Sequence, residues 1–248
     1  CVHIDGVEQY NDTLTIGDGK VDILFVDDNS GSMSTEQKAL STRFSDFVSS
    51  LGNLDYHIAV TTTDVEGVAG FPDPSSRAAN GFGKFRDGFL LEFSSGLKFL
   101  ERSTSDAAAL FLKTIVRDET RECENSGFTN CPSPDERGIY AANLAVDRNE
   151  NGFIRQGAHL AVVFLSDEDE RSGPEVMTQH NLSYETNDLP DTLISKVQTK
   201  YPGKTFSAHS IIVKPGDSAC LSEQTGQSGN AGVKGFGGTR YAELSNKT

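Results

Sequence analysis

The sequence predicts an α/β fold of the Rossmann-like type, an open and mainly parallel sheet with helices on both faces. Two apolar runs of strand length carry this prediction: VDILFV, at Val21–Val26, and AHLAVVFLS, at Ala158–Ser166. Runs of this kind are typical of strands that are buried on both faces. The segments between the strands place apolar residues at helical spacing. Buried strands that alternate with amphipathic helices indicate this class.

Taken in chain order, polar residues 1–20 are predicted to form an N-terminal arm, and one domain is predicted to cover residues 21–248. Further strands are predicted in YHIAVTTTD from Tyr56, GFLLEF from Gly88 and TFSAHSIIV from Thr205. Ser34 and Gln37 have the spacing of a capping box at the start of the first helix. The predicted helices are 34–51, 107–117, 136–146, 193–200 and 240–247.

Composition excludes several classes of function. The 248 residues carry a formal net charge of −14, whereas proteins that bind nucleic acid need clusters of Lys and Arg against the phosphates. No run of 18 apolar residues occurs, so no membrane-spanning segment is expected.

Four cysteines indicate an oxidising compartment. Cys123 and Cys131 lie eight residues apart in a polar stretch rich in turn formers, and we expect a disulfide to close this loop near residues 121–134. The sequence permits two interpretations of Cys1. It is either the lipid-modified first residue of a processed bacterial lipoprotein or the partner of Cys220 in a second disulfide.

Both of the most apolar strands run directly into acidic residues. Asp27 and Asp28 follow the first, and Asp167 follows the later one. Ligands of open α/β sheets lie outside the carboxyl ends of the strands. If the two strands are neighbours, their carboxylates converge and repel each other unless a cation joins them. With Ser30 and Ser32 they form a set of hard oxygen ligands suited to Mg²⁺, or to Mn²⁺ or Ca²⁺. The alternative is that the acids only cap the following helices.

The segment Asp28-Asn29-Ser30-Gly31-Ser32 resembles the DxSxS motif of the von Willebrand factor type A (vWA) domain. Its place between an apolar strand and a helix is where the family carries its metal-ion-dependent adhesion site. The resemblance implies that Asp28, Ser30, Ser32 and Asp167 are metal ligands. It also implies a hydroxyl ligand from a later loop. Ser133 is five residues before Gly138 and is our choice for that ligand, with Thr129 as the alternative. The chain ends where the family has a further strand and helix.

The resemblance also implies a function: adhesion or ligand binding outside the cytoplasm, on a bacterial secreted, periplasmic or cell-surface protein that is not an enzyme. Neutral hydroxyls leave the cation under-neutralised, and an Asp or Glu of a protein or surface partner completes its coordination.

Three other classes compete. A receiver domain would need a phospho-acceptor aspartate near residues 70–80, where the sequence has a turn. A metal-dependent hydrolase would need a base that the sequence does not identify. The last is a structural vWA domain with an inactive site. In the acidic run that follows Asp167, Asp169 and Glu170 are expected to lie in a solvated loop, with a second cation as the alternative.

Overall fold

The computed structural model describes residues 19–66, 85–126, 132, 135–171, 183–227 and 235–248. Within these residues the chain forms one five-stranded sheet in the order β3-β2-β1-β4-β5. β1 is parallel to β2 and β4, β4 is parallel to β5, and only β3 is antiparallel, to β2. The predicted mainly parallel α/β class is confirmed. The strands are β1 (Lys20–Asp27), β2 (Asp55–Thr62), β3 (Leu100–Glu101), β4 (His159–Leu165) and β5 (Phe206–Ile211).

Seven α-helices connect or follow these strands in the described part of the chain. None of them has the length and apolar content needed to cross a bilayer. Short 3₁₀ turns occur at Gly31–Met33, Glu150–Gly152 and Thr186–Asp188. The helices are α1 (Ser34–Ser50), α2 (Ala107–Ile115), α3 (Asp118–Asn125), α4 (Gly138–Arg148), α5 (Pro190–Lys200), α6 (Ser218–Gln227) and α7 (Thr239–Lys247).

The sheet has a hydrophobic core on each face. Leu24 and Val26 of β1 belong to the core under α4, α5 and α7. Ile23 and Phe25 belong to the core under α1 and α2. Successive side chains of a strand point to opposite faces, so a strand buried on both sides reads as an unbroken apolar run. This is why β1 and β4 could be identified from the sequence.

Two local predictions were wrong. GFLLEF is not a strand: Leu91 donates one backbone hydrogen bond to the Val60 carbonyl, at 2.7 Å, and the edge strand lies later, at β3. Gly88, the first residue of this stretch, has φ +73° and therefore does not take the extended conformation of a strand. The capping box is also absent. Met33 is the N-cap of α1, and the Gln37 side chain is buried against β1.

Two helices were not predicted. α3 lies in the stretch assigned to the cysteine loop, and it carries Asp118 and Glu119 in its first turn, where acidic side chains favour the helix dipole. α6 lies between β5 and the glycine-rich segment. The predicted helices that begin near residues 34, 107, 136, 193 and 240 are confirmed, with ends displaced by a few residues.

Candidate cation site

The site lies at the carboxyl ends of β1 and β4, which are direct neighbours in the sheet. From β1 the chain moves outward through β2 and β3, whereas β4 and β5 extend the sheet on the other side. The gap between β1 and β4 is therefore the topological switch point, where α/β proteins bind their ligands. The Asp28 amide donates to the Leu165 carbonyl at 2.9 Å, which fixes the two strand ends against each other.

Asp28 is fully buried, and both of its carboxylate oxygens accept hydrogen bonds. Oδ1 accepts from the Ser30 amide at 2.9 Å, and Oδ2 accepts from the Ser166 hydroxyl at 2.7 Å. Ser30 of the motif loop (residues 28–32) and Ser166 after the end of β4 thus hold the Asp28 carboxylate from two sides. This bonding fixes the orientation of Asp28.

The predicted hydroxyl and carboxylate ligands form a continuous chain of contacts. Ser30 Oγ lies 3.1 Å from Ser32 Oγ, and Ser32 Oγ donates to Asp167 Oδ1 at 3.0 Å. On its other side, Asp167 Oδ2 accepts a hydrogen bond from Gln224 Nε2 of α6 at 3.1 Å. Four of the five predicted ligand residues, Asp28 included, therefore meet at one place. Ser133, with its alternative Thr129, lies outside the described residues.

Burial and mutual repulsion work against the charged forms of these acids. Burial raises the pKa of Asp28, and the hydrogen bonds from Ser166 and Ser30 offset this only in part. Burial also raises the pKa of Asp167 well above its usual value, and the nearby carboxylates of Glu168 and Asp28 raise it further. No described Lys or Arg forms an ion pair with Asp28 or Asp167. A cation would supply the missing positive charge.

The donor set fits a hard divalent cation. Two serine hydroxyls and two carboxylates are the oxygen ligands that Mg²⁺ and Ca²⁺ prefer. Among the described residues, no three His, Cys, Asp or Glu side chains are placed to hold an ion by themselves. Ser30 and Ser32 would therefore have to supply part of the coordination, together with Asp28 and Asp167.

Asp27, the other acid at the end of β1, belongs to a different environment. Its Oδ2 accepts from Gln37 Nε2 at 3.2 Å, and burial raises its pKa well above the usual value. The same Gln37 nitrogen lies 2.9 Å from the Asp28 carbonyl and 3.2 Å from Thr120 Oγ1. Gln37 thus joins β1 to α3 beneath the motif loop.

α3 supports the motif loop from outside. Thr120 Oγ1 donates to the Asn29 carbonyl at 2.9 Å. The Arg117 amide, immediately before α3, donates to Gln37 Oε1 at 3.1 Å. Cys123 of the same helix is buried and lies in a disulfide. The helix that carries this disulfide therefore holds the loop that carries Ser30 and Ser32.

The acidic run after β4 is buried, which corrects the expectation of a solvated loop at Asp169 and Glu170. Asp169 Oδ1 accepts from the Arg240 amide at 2.8 Å, near the start of α7. The Glu170 carboxylate accepts from the amides of Ile139, at 2.7 Å, and Tyr140, at 3.1 Å, near the start of α4. Both side chains bond to helix N-termini.

A cavity of about 420 Å³ opens beside Asp167. It is lined by Leu40 and Arg43 of α1, by Ile211 of β5 and Val213 after that strand, and by Gln224 of α6. A concave, partly apolar space next to a polar cluster is the usual form of a ligand site.

Several residues of the site were missed. Ser166 could have been found, because it stands directly before Asp167 at the end of an apolar strand. Gln224 and Thr120 lie on helices that the sequence did not predict, and nothing near them in sequence indicates contact with the motif.

Fold and site together define an α/β domain with a buried, acidic and hydroxyl-rich cluster at its switch point. The chain matches no protein-family model, and a comparison with curated proteins finds no relative of significant similarity.

Proposed function

We propose that this chain is a ligand-binding or adhesion domain of the vWA type that acts outside the cytoplasm and binds its partner through a divalent cation. The observation that carries the proposal is the contact chain Ser30–Ser32–Asp167 beside Asp28, at the switch point of the sheet. Asp28, Ser30, Ser32 and Asp167 would hold the cation, with Ser133 or Thr129 as a further ligand. Mg²⁺ is our first choice, with Mn²⁺ and Ca²⁺ as alternatives.

The coordination of the cluster leaves room for an acidic partner group. Two of the four ligands are neutral hydroxyls, and the two carboxylates balance the charge of a divalent cation. Mg²⁺ has six coordination positions, so four protein ligands leave two for water or ligand oxygens, and a fifth from Ser133 or Thr129 leaves one. An Asp or Glu side chain of a protein or surface ligand would fill one of them. The cavity beside Asp167 is also lined by Glu36 and Glu223, which outnumber Arg43 there, so the cation would have to attract an acidic group to this side of the cluster.

The hydrogen bonds favour binding over hydrolysis. A serine nucleophile needs a base within hydrogen-bond reach. Ser32 does lie within reach of a carboxylate, Asp167, but both groups are assigned to the cation, which would occupy the lone pairs that a base needs. The three histidines in the described residues bond elsewhere, His57 to the Phe153 carbonyl and the other two to Ser207. We therefore propose a protein that is not an enzyme.

The disulfides support an extracytoplasmic location. Cys123 and Cys220 both lie in disulfides, and disulfides persist in oxidising compartments. Cys131 and Cys1 lie outside the described residues. The Cys123–Cys131 pairing, and the choice between a lipid on Cys1 and a bridge from Cys1 to Cys220, stay predictions.

Bound Mn²⁺ tests both halves of the proposal. We expect wild-type protein to bind Mn²⁺ with coordinated water that enhances the relaxation of solvent protons. The peptide acetyl-Gly-Asp-Gly-amide should reduce this enhancement, because its carboxylate displaces coordinated water. The control peptide acetyl-Gly-Asn-Gly-amide, which has no carboxylate, should not. Equal effects of the two peptides would contradict the partner carboxylate. No Mn²⁺ binding would contradict the site itself.

A further inference from the structure

A second cluster of polar side chains lies on β4 and β5, away from the candidate cation site. Thr205, Ser207 and His209 alternate along TFSAHS, so their side chains share one face of the sheet. His159, the first residue of β4, lies beside them on the neighbouring strand. Two histidines therefore come together on one face, although they are far apart in sequence.

One hydroxyl joins the two imidazoles. Ser207 Oγ lies 2.9 Å from His159 Nε2 and 3.0 Å from His209 Nε2. A hydroxyl has one hydrogen to donate, so one of the two Nε2 atoms accepts this hydrogen and the other donates its own. Both Nε2 atoms are thus aimed at the same point on the sheet.

A further hydroxyl fixes the orientation of the buried imidazole. Thr205 Oγ1 lies 2.9 Å from His159 Nδ1. If His159 donates its Nδ1 hydrogen to Thr205, its Nε2 presents a lone pair toward Ser207. This is the arrangement of a metal-binding histidine, whose second nitrogen is held by a partner that sets the tautomer.

We propose that His159 and His209 form a site for a borderline transition-metal cation such as Zn²⁺, Ni²⁺ or Cu²⁺. Imidazole nitrogens suit these metals, whereas Mg²⁺ prefers oxygen. His209 is exposed, so the site is open to solvent, and metal binding would require the His209 tautomer that carries its hydrogen on Nδ1. No third His, Cys, Asp or Glu joins them among the described residues, and water or a ligand atom would fill the other positions.

The charges nearest this site are positive. Burial lowers the pKa of His159, and the charges of His209 and Lys204 lower it further. Lys204 is the nearby cation that opposes binding. Its ammonium donates to the carbonyls of Arg155 and Ala158, at 2.6 Å each, and lies 3.9 Å from Asp22. These contacts hold its charge at the amino end of the sheet, where His159 also lies, so a cation at this site would bind against this repulsion.

A cation held by both histidines would join β4 to β5, the last strand on this side of the described sheet. Metal that binds only the folded state raises the unfolding temperature. The proposal therefore has a readout besides the titration: Zn²⁺ should raise the melting temperature of the wild type.

Calorimetry with Zn²⁺, in excess Mg²⁺ to fill the carboxylate cluster, tests the proposal. His209→Ala, a change at an exposed position, should abolish the Zn²⁺ signal and the thermal shift. Thr205→Val should weaken binding about tenfold or more through the lost orientation of His159. Asp28→Ala should leave Zn²⁺ binding unchanged, which separates this site from the proposed cation site. Unchanged binding in His209→Ala, or loss in Asp28→Ala alone, would overturn the proposal.

Discussion

Ser32 Oγ donates a hydrogen bond to Asp167 Oδ1 at 3.0 Å, across 135 residues of chain. Ser32 stands at the entry to α1, and Asp167 follows the end of β4. The parallel pairing of β1 with β4 brings these two positions together. The contact thus links the local DxSxS motif to its distant acidic partner, and it is the geometric basis of the proposed site.

Ser32→Ala should weaken Mg²⁺ binding by about tenfold or more, since a coordinating oxygen is removed. Its fold should be retained, because the Ser32 side chain is only partly buried. Ser49→Ala is the matched control, as this exposed hydroxyl bonds only within α1, to the Ser45 carbonyl. Equal Mg²⁺ affinities of Ser32→Ala and wild type, measured by calorimetry, would remove Ser32 from the site.

Thr120→Val should loosen the motif loop, although Thr120 is not a proposed cation ligand. The change deletes the bond to the buried Asn29 carbonyl and the contact with Gln37, and we expect a loss of about 1–3 kcal/mol in urea denaturation. If α3 positions the loop, Mg²⁺ affinity should fall as well. Thr120→Ser keeps the hydroxyl and should keep the affinity. A stability loss with wild-type Mg²⁺ affinity in Thr120→Val would show that α3 only stabilises the fold.

Gly138→Ala should destabilise the protein, because an added Cβ would lie 2.7 Å from the hydroxyl oxygen of Tyr241 and 3.2 Å from the Phe164 ring. Overpacking at such a contact costs about 1–3 kcal/mol. The Tyr241→Phe variant lacks this hydroxyl oxygen, so in that background Gly138→Ala should lower the free energy of unfolding by less. A double-mutant cycle from urea denaturation measures the coupling. Strictly additive effects would contradict the close approach.

Glu170→Gln should change how stability depends on pH. Burial raises the pKa of Glu170 well above 4.5, and the charge of Asp188 raises it further. The folded state therefore holds this proton more tightly than the unfolded state, and stability is lost as pH rises through the folded pKa. The glutamine cannot ionise, so its stability relative to the wild type should increase from pH 4.5 to pH 7. Urea denaturation in EDTA measures the difference in unfolding free energy between the variant and the wild type at each pH. A difference that stays constant with pH would contradict the raised pKa.

The sequence predicted the parts of the fold and site that depend on local patterns. β1 and β4 are apolar on both faces, and Asp28 and Asp167 follow shortly after them. The two acids are therefore expected to meet once the two strands are assumed to be neighbours in the sheet. Gln224 and Thr120 depend on α6 and α3, which have few apolar residues and are held by tertiary contacts. Sequence periodicity gives no signal for such helices.

The acidic run shows the same limit. Asp167, Glu168, Asp169 and Glu170 look alike in sequence, and a charge run usually lies in solvent. The burial of Asp169 and Glu170 depends on the amides at the starts of α7 and α4, which lie elsewhere in the chain. Which acid faces the site and which caps a helix is decided by the three-dimensional arrangement alone.

We propose above all that Asp28 and its neighbours bind a divalent cation, and calorimetric titration of Mg²⁺ tests this most directly. We expect saturable binding at one site in the wild type and none in Asp28→Ala. Asp46→Ala removes an exposed acid from α1 and should bind as the wild type does. Absence of binding in the wild type, or equal binding in Asp28→Ala, would contradict the claim.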